Sequence, residues 1–222
     1  MSSLSVFSIS LAGFVAGAVH VVTGPDHLAA VAPFAIQENR RSWILGLKWG
    51  LGHASGVVLV ALFAWVLRDT LSVEVFSSHC ERLVGLMLIA IGIWGLRRTF
   101  GVHAHSHHHP EHPAEHTHLH IHAGQDHQCH THAALGVGIL HGLAGASHFL
   151  GVLPALAMPT RTAAAVYLVL FGIGTIVSMS GFSFLIGSLG SRLAHSGLSY
   201  FRGIAATVST ASVALGIFWI AR

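Results

Sequence analysis

The feature that most constrains this sequence is a series of apolar runs, each long enough to cross a membrane. About 20 apolar residues in a helix cover the roughly 30 Å hydrocarbon core of a bilayer. Backbone groups in hydrocarbon must be satisfied within the segment, and the runs are too long for barrel strands, so each is predicted to be a helix. Six spans are expected: 4–35, 43–67, 82–99, 133–157, 163–188 and 200–221.

The charge content excludes a soluble domain. Only 9% of the 222 residues are charged and the mean hydropathy is +0.68, whereas soluble domains carry about 25% charged residues. The formal net charge of +3 rests on few side chains, and no long basic cluster indicates a nucleic-acid partner. We therefore predict an all-α integral membrane protein with the lipid bilayer as its surroundings.

One segment between the predicted spans is long and polar. In residues 101–132, 13 of 32 residues are histidine, and Pro110 and Pro113 oppose regular structure. We predict a disordered, histidine-rich linker, in which the stretch HLHIH could form a short strand. It separates a first unit, 1–100, from a second, 133–222. Its imidazoles are expected to buffer metal ions: His103, His105, His107, His108, His109, His112, His116, His118, His120, His122, His127, His130 and His132.

The distribution of lysine and arginine predicts the orientation. With six spans, seven basic residues lie toward one side and four toward the other. The first group is Arg40, Arg41, Lys48, Arg97, Arg98, Arg192 and Arg202; the second is Arg68, Arg82, Arg161 and Arg222. The first side is therefore predicted to be cytoplasmic, with the linker in the cytoplasm and both termini outside the cytoplasmic membrane.

The second half of the sequence repeats the first. A shift of 121 residues places HVVTGPDHLAAVAP (20–33) on HGLAGASHFLGVLP (141–154), with five identities in fourteen positions that include both histidines. Shifts of 122 and 124 align GLGHASG (50–56) with GIGTIVS (172–178) and IGIW (91–94) with LGIF (215–218). Each unit holds three spans, an odd number, so the second copy would enter the membrane inverted, with a site near the midplane.

The first helix of each unit is predicted to be broken at its histidine motif. In an unbroken helix, His20 and His27 would be separated by a rise of about 10.5 Å, whereas two ligands of one ion lie within about 4 Å of each other. Gly24 and Pro25 are where the interruption is expected, because proline removes a backbone N–H. The second unit carries Gly145 at the matching position, without the proline.

Histidines and a single acid occupy these predicted spans. Ionisable groups are costly at membrane depth, so they indicate a functional site. The predicted metal ligands are His20, Asp26, His27, His53, His141 and His148, with Ser147 and Thr175 as secondary candidates. Imidazoles with one carboxylate and no thiolate suit Ni²⁺, Co²⁺, Zn²⁺ or Cu²⁺. Packing histidines and a simple proline kink are the alternative interpretation.

These motifs resemble those of a known family. HVVTGPDHLAAVAP, LGHASGVV (51–58) and FGIGTIVSM (171–179) are similar to the nickel/cobalt transporters, especially their short branch of UreH-type urease accessory proteins. The resemblance implies that His20, Asp26, His27 and His53 bind a transported ion. Two differences stand out: five residues rather than four separate His20 from Asp26, and Gly174 replaces an aspartate of the longer members.

The resemblance and the residues together predict a secondary transporter without enzymatic activity or a catalytic cofactor. Its substrate would be Ni²⁺, with Co²⁺ as an alternative, taken up for enzymes such as urease. A cytoplasmic metallochaperone could receive the ion. Efflux on the same fold is the second hypothesis, and a membrane-embedded histidine-cluster metalloenzyme is the third. The oligomeric state, the energy source and any role of Cys80 and Cys129 stay open.

Overall fold

The computed structural model of the chain describes residues 3–38, 41–67, 73–109, 112–121, 129–144 and 154–221. Seven long helices and two strands occupy these ranges. In chain order they are α1 (Ser3–Thr23), α2 (Pro25–Ala35), α3 (Ser42–Leu67), α4 (Val73–Phe100), β1 (Val102–His109), β2 (His112–Ile121), α5 (Cys129–Leu143), α6 (Arg161–Ser196) and α7 (Leu198–Ala221).

The helices make the chain a multi-pass membrane protein. Among the described residues, four helical stretches are long and apolar enough to cross a bilayer: Ser5–Thr23, Glu81–Phe100, Arg161–Ser196 and Leu198–Ala221. The apolar part of α5, Ala133–Leu143, is shorter. On α1 the exposed side chains of Phe7, Leu11, Val15 and Val19 recur every four residues. This spacing forms one helical face, which suits contact with lipid.

The first predicted span is two helices rather than one. The chain leaves the helical conformation at Gly24, where φ is −88° and ψ is 97°. Pro25 has no N–H to donate to the carbonyl of Val21, and the Gly24 N–H approaches the carbonyls of His20 and Val21 at 3.1 and 3.2 Å instead. Pro25 then opens α2 as its first residue, the helical position where a missing N–H costs least.

Glycines let the helices approach closely in two parallel pairs. A Cβ on Gly13 or Gly17 of α1 would strike the backbone carbonyl of Tyr167 or Phe171 of α6, respectively. The residue numbers of the contacting pairs increase together along the two helices, so α1 and α6 run in the same direction. The α3–α5 pair is built likewise, with Gly52 and Gly56 against the carbonyls of Leu135 and Ile139. Small residues four apart are typical of close helix packing in membranes.

Two further helix pairs are antiparallel. Gly46 and Gly50 of α3 lie against Met179 and Ile176 of α6, respectively. Residue numbers increase along α3 as they decrease along α6, so the two helices are antiparallel. Between α4 and α7 the contacts are Gly85 with Gly216 and Gly92 with Ser209. Helix α2 packs among these pairs, where Ala30, Val31 and Ala35 belong to the main buried cluster.

Two strands lie within the linker, which the sequence predicts to be disordered. Strands β1 and β2 form an antiparallel two-stranded sheet whose register pairs His103 with His120 and His105 with His118. Histidine alternates there with alanine, serine, threonine or leucine, a period of two that suits a strand. Both strands are edge strands, so Pro113 is tolerated in β2. The predicted strand over HLHIH lies mostly within β2.

Candidate metal centre

Five of the predicted ligands come together from four helices. His20 lies near the end of α1, Asp26 and His27 open α2, His53 lies in α3 and His141 near the end of α5. The exposed fraction is 1% for His27, His53 and His141 and 7% for Asp26, and His20 is partly buried. The polar cluster is therefore enclosed by protein, as intramembrane ionisable groups usually are.

The break at Gly24 brings the two histidines of the first motif together. The Nε2 atoms of His20 and His27 lie 3.1 Å apart, although the rise between the two residues in a straight helix would be about 10.5 Å. Their ring centroids lie 4.7 Å apart, edge to face. Two imidazole nitrogens at this separation are close enough to bind the same ion.

Glycine at position 24 leaves room for this arrangement. A Cβ there would strike Nδ1 of His27 and would lie 3.1 Å from Oδ1 of Asp26. The φ angle of −88° is one that any residue adopts. The requirement for glycine is therefore space beside the site rather than backbone conformation.

Both carboxylate oxygens of Asp26 are engaged by histidines. Nδ1 of His27 lies 3.0 Å from Oδ1, and Nε2 of His141 lies 3.1 Å from Oδ2. A carboxylate only accepts, so both imidazoles donate to it. Donation from Nδ1 leaves the Nε2 lone pair of neutral His27 directed toward His20. Metal-binding histidines commonly have a carboxylate in this outer position, where it fixes the tautomer and orientation.

The cluster contains two groups of donor atoms that could hold an ion. One is His20, His27 and His53, and the other is Asp26, His27 and His141; within each group the donor atoms lie within 4.8 Å of one another. Nitrogen and oxygen donors of this kind suit borderline divalent transition ions. His53 extends the first group from α3, with its ring centroid 5.0 Å from that of His27.

Sequence reasoning missed the aromatic side chains that line this cluster. Trp49 is 1% exposed and stacks on His53, with ring centroids 5.0 Å apart and an interplanar angle of 6°. Its ring also lies 5.5 Å from that of His27 and 5.3 Å from that of His141. Residues four apart share a helix face. The four-residue spacing of Trp49 and His53 could therefore have indicated that Trp49 lies beside the cluster.

The remaining predicted residues are not part of the cluster in the described structure, and some of them lie outside the described ranges. Thr175 is buried, and its hydroxyl donates to the carbonyl of Phe171 at 3.0 Å. A Cβ on Gly174 would strike the carbonyl of Phe14, so the aspartate of the longer family members has no room here. The predicted residues outside the described ranges are Gly145, Ser147 and His148, together with His122 and His127 of the linker. The linker histidines of β1 and β2 are described by strand register alone.

Fold and site together define a multi-pass helical membrane protein with an enclosed histidine–carboxylate cluster. The family described as the cytochrome C biogenesis protein transmembrane region matches residues 8–217. The urease accessory protein UreH of Bacillus sp. (strain TB-90) is 31% identical over 195 residues, which cover 84% of this chain and 79% of that protein. The chain therefore belongs to this family of transmembrane regions and is UreH-like.

Two plant proteins are similar over a comparable share of this chain. The chloroplast protein FOR GROWTH AND FERTILITY 2 of Arabidopsis thaliana is 35% identical over 195 residues, 85% of this chain and 49% of that protein. The chloroplast protein FOR GROWTH AND FERTILITY 1 is 34% identical over 191 residues, 82% of this chain and 50% of that protein. This chain thus spans about half the length of these relatives. No solved structure matches it.

Proposed function

We propose that the protein is a secondary transporter that takes up Ni²⁺, with Co²⁺ as a second substrate, across the cytoplasmic membrane. The observation that carries this proposal is the 3.1 Å separation of the His20 and His27 Nε2 atoms in an enclosed cluster. The similarity to a urease accessory protein supports nickel, because urease is a nickel enzyme. A secondary transporter needs its ion site between helices at membrane depth, and the cluster lies between α1, α2, α3 and α5.

Within this proposal the histidines and the carboxylate have different roles. His20, His27 and His53 hold the ion through ring nitrogens. Asp26 accepts from His27 and His141 and so directs Nε2 of His27 toward the ion. This differs from the role of direct ligand that the sequence resemblance implies for Asp26. His148 and Ser147 of the second unit are proposed as further ligands of the ion.

We propose the six-span inverted repeat as the architecture. The direction of each helix pair supports it: inversion requires α1–α6 and α3–α5 to be parallel and α3–α6 and α4–α7 to be antiparallel, as they are. Equivalent contacts also recur. Gly17 meets the carbonyl of Phe171, and Gly138 meets that of Trp49. Gly138 lies 121 residues after Gly17, and Phe171 lies 122 residues after Trp49, which are the sequence repeat shifts.

The depth of the site supports a path across the bilayer. His53 is eleven residues beyond Ser42, the first residue of α3, a rise of about 16.5 Å in a membrane core about 30 Å thick. It supports our proposal that the cluster lies near the midplane. The excess of basic residues supports a cytoplasmic location for the start of α3, for the linker and for a partner metallochaperone.

The linker is proposed to capture or buffer ions at the cytoplasmic side. Its register places His103, His105 and His107 of β1 opposite His120, His118 and His116 of β2. Three successive cross-strand histidine pairs would thus supply the donors for this capture.

Transport of radioactive nickel into proteoliposomes tests the proposal. We expect near-total loss of uptake in His27→Ala and Asp26→Asn and partial loss after deletion of residues 101–132. The exposed His195 lies outside the cluster, so His195→Ala is the matched control and should transport like the wild type. Excess Co²⁺ should compete more strongly than Mg²⁺, which takes oxygen ligands.

The nickel content of cells that express the protein separates uptake from efflux, the competing function. Efflux predicts that expression lowers the nickel content of cells, whereas uptake predicts a rise. If His27→Ala and Asp26→Asn both transport like the wild type, the assigned site is wrong.

A further inference from the structure

Two buried aromatic rings contact the histidine cluster from different halves of the chain. Trp49 of α3 stacks on His53 at a centroid distance of 5.0 Å. Phe171 of α6 lies against His20, with ring centroids 5.5 Å apart and an interplanar angle of 41°. Trp49 is 1% exposed and Phe171 4%. Both rings therefore belong to the interior of the helix bundle rather than to its lipid-facing surface.

The two aromatic residues occupy equivalent positions of the repeat. The stretch WGLGH (49–53) corresponds to FGIGT (171–175) at the shift of 122 residues. In each stretch an aromatic residue comes one helical turn before a buried polar residue, His53 or Thr175. The aromatic position is thus shared by the two units, although the polar residue differs.

The antiparallel packing of α3 and α6 separates the two rings along the transport direction. Gly50 lies against Ile176, so Trp49 is level with residue 177 of α6. Phe171 lies six residues away on that helix, a rise of about 9 Å. The two aromatic residues therefore stand at different depths, one toward each membrane face, with the histidine cluster contacted by both.

We propose that Trp49 and Phe171 are the two gates of the ion path, one on each side of the metal site. This inference rests on the proposed transport function. In its closed position each ring covers imidazoles of the site, and its movement away exposes the ion to one face. Inverted repeats provide alternating access when the two units exchange conformations, and a gate at the same position of each unit would follow that exchange. The orientation proposed above assigns Trp49 to the cytoplasmic side.

Release of bound radioactive nickel to an impermeant chelator, EDTA, tests the gates from each side separately. Right-side-out and inside-out vesicles carrying the protein are loaded with radioactive Ni²⁺ and then exposed to EDTA. We expect Trp49→Ala to speed release about tenfold from the cytoplasmic side only, which corresponds to losing one aromatic contact of ordinary strength. Phe171→Ala should speed release by a similar factor from the outer side only.

Matched variants separate gating from loss of an aromatic residue in general. Trp43 of α3 and Phe184 of α6 are 46% and 44% exposed, so Trp43→Ala and Phe184→Ala should release nickel like the wild type. Trp49→Phe keeps a ring at the gate and should restore most of the protection. If Trp49→Ala does not fold, Trp49→Leu is used in its place, because leucine lacks the ring but fills more of the buried space than alanine.

The outcomes also distinguish failure of the gates from failure of the transporter proposal. Wild-type vesicles that neither bind nor transport nickel overturn the proposed function. Gating is overturned if the wild type binds nickel while both aromatic variants release it at wild-type rates, or while both expose it to the same side. One-sided release from opposite faces supports the gates.

Discussion

The hydroxyl of Ser212 in α7 donates a 2.7 Å hydrogen bond to the backbone carbonyl of Ala29 in α2. That carbonyl would ordinarily accept from the N–H four residues later. The residue there is Pro33, which has no N–H. Ser212 thus supplies, from a neighbouring helix, the donor that α2 lacks, at a partly buried carbonyl that is costly to leave unsatisfied.

Ser212→Ala should destabilise the protein, and Pro33→Ala should reduce that loss. Removing the hydroxyl leaves the Ala29 carbonyl without its donor, at an expected cost of about 1 kcal/mol. This corresponds to a fall in Tm of about 2–4 °C for a chain of this length. In Ser212→Ala/Pro33→Ala a backbone N–H at position 33 replaces the donor. Thermal unfolding in detergent measures all three variants, and a double variant no more stable than Ser212→Ala contradicts the explanation.

Gly24→Ala should abolish nickel binding while leaving the helix bundle folded. The added Cβ would meet side-chain atoms of His27 and Asp26 rather than backbone, so the ligands move first. Gly136 of α5 has no heavy atom within 4 Å of an ideal Cβ, which makes Gly136→Ala the matched control. Equilibrium binding of radioactive nickel to purified protein is the measurement. Binding by Gly24→Ala with wild-type affinity would show that the His27 position is not required.

The break and the convergence of histidines could be predicted from local sequence, whereas several contacts could not. The seven-residue spacing of His20 and His27, with Gly24 and Pro25 between them, already requires a break if both residues bind one ion. The contact of Ser212 with Ala29 joins residues 183 apart, and no local pattern specifies it. Trp49 is an aromatic residue in an apolar helix. Its side-chain type alone does not tell whether the ring lines the histidine cluster or contacts lipid.

In the linker, by contrast, a local sequence pattern does indicate the structure. Its histidine content and two prolines favour disorder, but histidine alternates with small or apolar residues over two adjacent stretches. This alternation gives two strands that pair in register from Val102 with Ile121 to His107 with His116. Composition alone does not indicate these two strands, whereas the period of two does.

Gly17→Ala and Gly138→Ala should destabilise the protein to a similar extent. Each Cβ would strike a backbone carbonyl of a neighbouring helix, that of Phe171 or Trp49. Backbone atoms cannot move aside as a flexible side chain does, so we expect a cost of about 1–3 kcal/mol for each variant. Unfolding temperatures in detergent provide the comparison, with Gly136→Ala as control. A loss confined to one variant would contradict equivalent packing in the two units.

Nickel binding should quench the fluorescence of Trp49. The indole ring lies 5.0 Å from that of His53 and 5.5 Å from that of His27, so an ion held by these imidazoles comes close to it. A variant in which Trp43, Trp65, Trp94 and Trp219 are replaced by phenylalanine keeps Trp49 alone. We expect saturable quenching by Ni²⁺ and little quenching by Zn²⁺, whose filled d shell is redox-inert. His27→Ala in the same background should remove the Ni²⁺ response. Unchanged quenching in His27→Ala would place the ion away from His27.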